Sequence, residues 1–225
     1  MKSRLITALG ELTPPLVWRG MRSCLQAAKL YRPPVVPERD SAWYDSVFNG
    51  SATYQGPYRQ SPYYFLWCVV VDRVTRSRAT SVLDIGCGPG QVARFLQDNG
   101  LQHYVGLDLS PVATRLAKTL CPSFQFVTAS AFDTDVFTTV KYDTVICMEF
   151  LEHVTDDIQV LKRIARGTRF FGTVPNFPHA AHVRFFSNCD KVAQRYQALF
   201  EHLSVDAFDS PSDGVKFFLM EGTKT

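Results

Sequence analysis

Glu149, Glu152 and His153 stand together in the stretch MEFLEHV, and two carboxylates with an imidazole suffice for two kinds of chemistry. One is proton transfer: an imidazole with an ordinary pKa of about 6.5 can take the proton of an attacking hydroxyl near neutral pH. The other is metal binding. If residues 149–153 begin a helical turn, positions i, i+3 and i+4 share a face, and all three side chains could grip one divalent cation. The carboxylates suit magnesium and the imidazole favours manganese or zinc. A third reading is an acidic start to a helix and nothing more. Upstream, VLDIGCGPG places Gly86, Gly88 and Gly90 at alternate positions behind Asp84. Glycines of this kind let a chain turn sharply and let a ligand touch backbone, while the helix that follows opens with unpaired N–H groups.

These residues need a scaffold, and the pattern from residue 80 onward supplies one. Short apolar runs over 81–86, 103–110, 124–130, 142–149 and 168–176 alternate with helical stretches near 91–100, 111–120 and 156–166. That alternation predicts an α/β fold: a Rossmann-like, doubly wound, mostly parallel sheet with helices on both faces. A helix near 188–200 and strands near 203–208 and 215–221 complete seven strands. In such a fold the acid ending the second strand, Asp108, comes beside the glycine turn, within reach of two ribose hydroxyls. A dinucleotide enzyme would use the same acid, but it favours G-x-G-x-x-G. Here the pattern is G-x-G-x-G with Pro89 inside it, which argues for a nucleoside ligand without a pyrophosphate.

The 225 residues carry a formal net charge of +3, too little to imply nucleic acid. Residues 1–32 hold six basic side chains against Glu11, so this arm is basic and amphipathic, fit for an anionic membrane surface, a partner, or its own domain. Residues 1–40 therefore read as an arm and linker, and 41–225 as the main domain, with 41–78 an aromatic helical lid. No run approaches the roughly 20 apolar residues of a membrane span. The six cysteines are scattered without a CxxC pair, which points to reduced thiols and a cytoplasmic protein, peripheral at the inner face of a membrane if the arm docks there.

The combination of D-x-G-C-G-x-G, an acid ending strand two, and YDTVICMEFLEHV resembles a class I S-adenosylmethionine-dependent methyltransferase. Within that group it is most similar to the ubiquinone-biosynthesis O-methyltransferases, and the similarity covers about residues 80–176. The resemblance implies that S-adenosyl-L-methionine is the cofactor and that the last sheet strand is antiparallel. It implies cofactor contacts from Asp84, from Gly86, Gly88 and Gly90 around the methionine part, and from Asp108 on the ribose. Leu109 would cover an adenine face, Ala131 and Phe132 would form the adenine-edge segment, and Met148 and Glu149 would face the sulfonium. Where the family often has an acid after strand three, this chain has Ser130-Ala131-Phe132 followed by Asp133. Some relatives with E-x-x-E-H, including small-RNA 3′-end methyltransferases, use it as a metal site with one further histidine. By that resemblance Glu149, Glu152, His153 and His182 would hold magnesium or manganese; otherwise His153 with Glu149 would act directly on the acceptor.

For the acceptor, the loop TVPNFPHAAHVRFFS offers Asn176, His179 and Arg184, and the aromatic stretch 43–67 offers Tyr54, Tyr58 and Tyr64. A basic arm beside an aromatic site fits O-methylation of a sugar or glycan-type acceptor, or of a phenolic small molecule. Two rivals stay open: an RNA 2′-O-methyltransferase, disfavoured by the weak charge, and a non-catalytic cofactor-binding or scaffold protein, disfavoured by the intact motifs.

Overall fold

A computed structural model describes residues 37–212 and 214–225. The basic arm expected over residues 1–40 falls almost wholly outside the described residues, and with it any membrane contact. Among the described residues no helix is long and apolar enough to cross a membrane.

The chain enters through three helices, α1 (Ser41–Gly50), α2 (Ala52–Gln55) and α3 (Tyr64–Arg76). Then come β1 (Ser81–Ile85), α4 (Gln91–Asp98), β2 (His103–Asp108), α5 (Pro111–Leu120), β3 (Gln125–Thr128), α6 (Val136–Thr139) and β4 (Thr144–Met148). The order closes with α7 (Asp157–Lys162), β5 (Arg169–Pro175), α8 (Cys189–Tyr196), β6 (Phe200–Asp209) and β7 (Lys216–Lys224). The seven strands form one sheet in the order β3-β2-β1-β4-β5-β7-β6. β1 to β5 pair in parallel, and β7 runs antiparallel to both β5 and β6. The doubly wound expectation, including an antiparallel last strand, is the observed architecture.

Side chains alternate across the sheet as strand geometry requires. On one face Val82, Ile146 and Phe171 pack against Leu66, Trp67 and Val70 of α3. On the other, Leu83, Ile85, Val145 and Phe170 pack against Val160, Leu161 and Val192. Strands buried on both faces read as continuous apolar runs, which is why β1 and β4 are so visible in the sequence. The element ends differ more. The helix expected over 156–166 is short, ending at Lys162. β6 starts at Phe200, three residues early, because an irregularity between Glu201 and Ser204, with His202 at φ +54°, absorbs the extra residues.

The elements converge where β1 and β4 part company, one turning toward β2 and the other toward β5. This is the switch point at which doubly wound sheets leave a crevice at their carboxyl ends.

Candidate functional site

At that switch point lies a cavity of about 560 Å³, floored by the turn after β1 and roofed by α1 and α2. Gly86, Gly88 and Gly90 all have positive φ, at +80°, +53° and +84°. At Gly90 a side chain is disfavoured for a second reason: a β-carbon would sit 2.9 Å from the backbone of Ala117, so α5 packs directly on the turn. The turn thus presents bare backbone to the cavity while being clamped from behind.

Asp108 ends β2 beside it. Its two carboxylate oxygens accept the backbone N–H groups of Gly88 and Ser110, each at 2.9 Å. Burial pushes its pKa up to about 6, although these backbone donors pull the other way. Asp84 also lines the cavity; burial raises it to about 7 against the Tyr104 hydroxyl, which donates to it at 2.5 Å. Leu109, Ala131, Phe132 and Met148 border the same space. Eight of the nine residues expected to contact the cofactor therefore line one cavity, and the ninth, Gly90, lies behind it against Ala117.

The turn after β4 departs from expectation. Glu149 has φ +51°, a left-handed conformation, so residues 149–153 form a tight turn and not the start of a helix. The Glu149 carboxyl borders the cavity and stays beside that of Glu152, whose pKa it helps to raise. The cluster that forms is Glu152, His153 and His182, whose ligating atoms all lie within 4.8 Å of one another. Of the four side chains expected to ligate a metal, Glu149 stands outside this group and borders the cavity.

Both histidines have their δ nitrogens engaged. His153 Nδ1 lies 3.0 Å from the carbonyl of Ala181, and His182 Nδ1 lies 3.1 Å from that of Phe177. A carbonyl only accepts, so in the neutral rings both δ nitrogens carry the proton and both ε nitrogens present lone pairs. His153 Nε2 lies 3.9 Å from Glu152 Oε1. Burial, first, and neighbouring imidazole hold the pKa of His153 down at about 4, and burial does the same for His182. Opposite them, Glu152 is fully buried with neither oxygen hydrogen-bonded, and Glu149 Oε1 is similarly unpartnered. Burial raises the pKa of Glu149 to about 8 and that of Glu152 well above the carboxylate range. Buried carboxylate oxygens without partners are costly, so their presence at one point argues for a ligand there.

The acceptor residues divide. Tyr54 and His179 line the cavity, but Tyr58, Tyr64, Asn176 and Arg184 do not. The Tyr58 ring stacks on Phe95 at 4.6 Å and its hydroxyl donates to Asp98, while Tyr64 packs beside the same Phe95 ring. Asn176 clamps the β7 entrance, accepting from Lys216 N at 2.8 Å and donating to Gly214 O at 3.2 Å. Arg184 is spent on backbone carbonyls of the turn after β4. The aromatic wall is made instead by Trp43, Tyr44, Phe48, Tyr63 and Trp67. Helical spacing holds the signal: Tyr44 and Phe48 are four apart and stack at 6.3 Å, as Tyr63 and Trp67 do at 6.1 Å, whereas Tyr64 lies one position round the helix.

The sequence gives no hint of the fastenings of this roof. Asp45 accepts from the Ser110 hydroxyl and from Val112 N, binding α1 to the loop that carries Asp108. Gln91 Nε2 donates to the carbonyls of Thr53 and Gly56 at 3.1 and 2.7 Å. Glu38 accepts from Thr155 N, and Arg39 donates to the carbonyl of Ala180, so the first described residues fasten both loops behind His153.

Comparison with known proteins agrees with this arrangement. Residues 82–172 match the family model described as "Methyltransferase domain". The chain is 32% identical over 117 residues to the ubiquinone biosynthesis O-methyltransferase of Nitrosospira multiformis, covering 48% of each chain. It is 31% identical over 103 residues to the chloroplastic tocopherol O-methyltransferase of Arabidopsis thaliana, covering 43% of this chain and 29% of that one. It spans about half the length, or less, of these relatives. Among solved structures, the N-methyltransferase NodS of Bradyrhizobium japonicum, in complex with S-adenosyl-L-homocysteine, matches with a TM-score of 0.64 at 14% identity. That match covers 83% of this chain and 99% of NodS. The magnesium protoporphyrin IX methyltransferase of Synechocystis, with bound S-adenosylmethionine, matches with a TM-score of 0.59 at 17% identity, covering 84% and 99%.

Proposed function

We propose that this chain, whose residues 82–172 match a methyltransferase-domain family model, transfers the methyl group of S-adenosylmethionine to an oxygen of a small acceptor, of phenolic or sugar type. The observation that carries the reading is the juxtaposition of the glycine turn and Asp108 with Glu149, whose Oε1 has no partner, across one cavity, with the carboxyl of Glu152 buried behind it.

The cofactor brings an activated methyl group on a sulfonium, so the chain's task is alignment and water exclusion. Asp108 retains lone pairs on both oxygens for the ribose hydroxyls. The bare backbone of Gly86 and Gly88 leaves room for the methionine part, and Met148 and Glu149 border the reacting end. Trp43, Tyr44, Tyr54 and Tyr63 would enclose the acceptor ring, keeping water out.

A hydroxyl acceptor must lose its proton as it attacks. Two devices in this chain serve that need. His153 presents a neutral ε nitrogen that stays unprotonated throughout the physiological range, although the burial that lowers its pKa to about 4 also weakens it as a base. The cluster of Glu152, His153 and His182 also fits a divalent cation: it offers an unpartnered carboxylate and two lone-pair nitrogens whose tautomers are fixed by backbone carbonyls. One carboxylate with two imidazoles favours manganese or zinc over magnesium. Such a cation would supply a Lewis acid that lowers the pKa of the acceptor hydroxyl.

The test is transfer of labelled methyl from S-adenosylmethionine to catechol, to a methyl glycoside and to a short RNA, with and without chelator. Transfer to catechol or the glycoside is expected. Asp108→Ala should weaken cofactor binding by about a hundredfold or more, since hydrogen bonds to a charged group contribute about 1.5–3 kcal/mol each. Activity lost to chelator and restored by manganese selects the cation; indifference to chelator with loss in His153→Ala selects the direct base. Absence of cofactor binding overturns the reading.

A further inference from the structure

The E-x-x-E-H turn lacks the hydrogen bonds of a helix. His153 N donates to Phe150 O at 2.9 Å, but the carbonyls of Leu151, Val154 and Thr155 find no backbone donor across the turn. A single side chain supplies them. Arg184, from the loop after β5, donates through Nη1 to the carbonyls of Leu151 and Val154 and through Nη2 to that of Thr155, at 2.6 Å for the last. Its own backbone continues the attachment: Val183 N donates to Glu152 O at 2.8 Å, and Arg184 N points at the same oxygen. Arg184 is itself held. Asp157, fully buried at the start of α7, lies 3.3 Å from its guanidinium. Asp157 also accepts two hydrogen bonds from Arg195, at 2.8 and 2.6 Å, and one from the Tyr196 hydroxyl at 2.6 Å, both on α8.

We propose that Arg184, oriented by Asp157, is the positioning residue of the E-x-x-E-H turn, setting where Glu152 and His153 stand relative to the cavity. The proposal rests on the reading of that turn as the acceptor side of a methyl-transfer site. It replaces the sequence-based expectation that Arg184 touches the acceptor. The guanidinium fork matters because its planar donors meet three carbonyls at once, which a lysine ammonium cannot do with the same geometry. The chain of contacts runs from α8 through Asp157 and Arg184 to the turn, so the acceptor-side groups are fixed by residues that never meet a ligand.

The experiment compares Arg184→Lys and Asp157→Asn with the wild-type protein in two readouts. In kinetics with catechol as acceptor, both variants should lower kcat by roughly tenfold to a hundredfold, the scale expected of small misplacements, with the acceptor KM and cofactor affinity nearly unchanged. The double variant should lose little more than either alone, because both act through one element. In proton–nitrogen NMR of the imidazoles, the Nδ1–H of His153, held against Ala181, should shift or vanish in both variants while the amide signals of β1, β2 and β4 persist. If Asp157→Asn does not fold, Tyr196→Phe, which removes one hydrogen bond to the same carboxylate, takes its place with a smaller effect in the same direction. A raised acceptor KM with kcat intact would return Arg184 to acceptor contact and overturn the proposal. So would an unmoved His153 resonance in folded variants. If the wild-type protein transfers no methyl group to catechol, the kinetic arm bears on the choice of acceptor alone, and the imidazole resonance still decides the positioning role.

Discussion

Asp84 and Asp108 show how far local surroundings can move a residue from its sequence identity. Both carboxyls face the cavity and both are lifted by burial, to about 7 and about 6. In the unfolded chain each would titrate near 3.8. Because the folded values are the higher ones, these groups favour the ligand-free fold at low pH, and that contribution is lost as pH rises through 6–7. A ligand bearing a sulfonium and an ammonium favours the charged carboxylates, so the dependence of its binding has the opposite sign. Cofactor affinity should fall as pH is lowered from 7 to 5, and binding at pH 6.5 should release protons. Calorimetric titration in two buffers of different ionisation heat measures this; equal heats would mean both carboxylates are already ionised. At this scale the sequence revealed the types and the spacing, Asp108 beside the glycine turn among them. It could not show that Glu149 takes a left-handed conformation, since glutamate rarely does and its helix propensity argues otherwise. Nor could it show that Arg184 faces backbone, because an arginine in a loop has no periodicity to read.

Between elements, the decisive contact is that of the glycine turn with α5. Gly90→Ala should destabilise the protein by about 1–3 kcal/mol, from a positive φ together with a β-carbon pressed on Ala117. Urea unfolding would check this, and Gly100→Ala supplies a control: φ is +90° there, but open space surrounds the site. A loss equal to that of the control would assign the whole effect to backbone conformation. The strands themselves were legible because burial on both faces leaves uninterrupted apolar runs, and Ser110-Pro111 marked the start of α5 correctly, with Ser110 Oγ accepting from Ala113 N at 3.0 Å. The aromatic stretch 43–67 was legible only as a stretch. Which ring faces the cavity depends on where each helix begins, and a shift of one position exchanges Tyr63 for Tyr64. Of residues 64–76 only Trp67 reaches the cavity, the others turning to the core or to the surface, so the roof is built mostly from the earlier part of the expected lid.

Over the whole molecule, charge is distributed against the average. The chain is net positive, yet Glu38, Asp84, Asp108 and Glu149 line the cavity against Arg39, whose guanidinium is engaged with a backbone carbonyl. Under the proposed function such a wall, even with Glu149 held mostly neutral by its pKa of about 8, favours uncharged acceptors over phosphorylated ones. A second consequence concerns speed. The segment from Glu38 to Gly56 covers both halves of the cavity, touching the Asp108 loop through Asp45 and the His153 side through Glu38, Arg39 and Tyr44. One segment therefore reaches both sides of the cavity; under the proposed function, a hinge that lifts it would release spent nucleoside. If that hinge sets the pace, turnover should slow in proportion to solvent viscosity in sucrose or glycerol, and Asp45→Ala should abolish that drag; viscosity-independent turnover would place the slow step in bond-making instead.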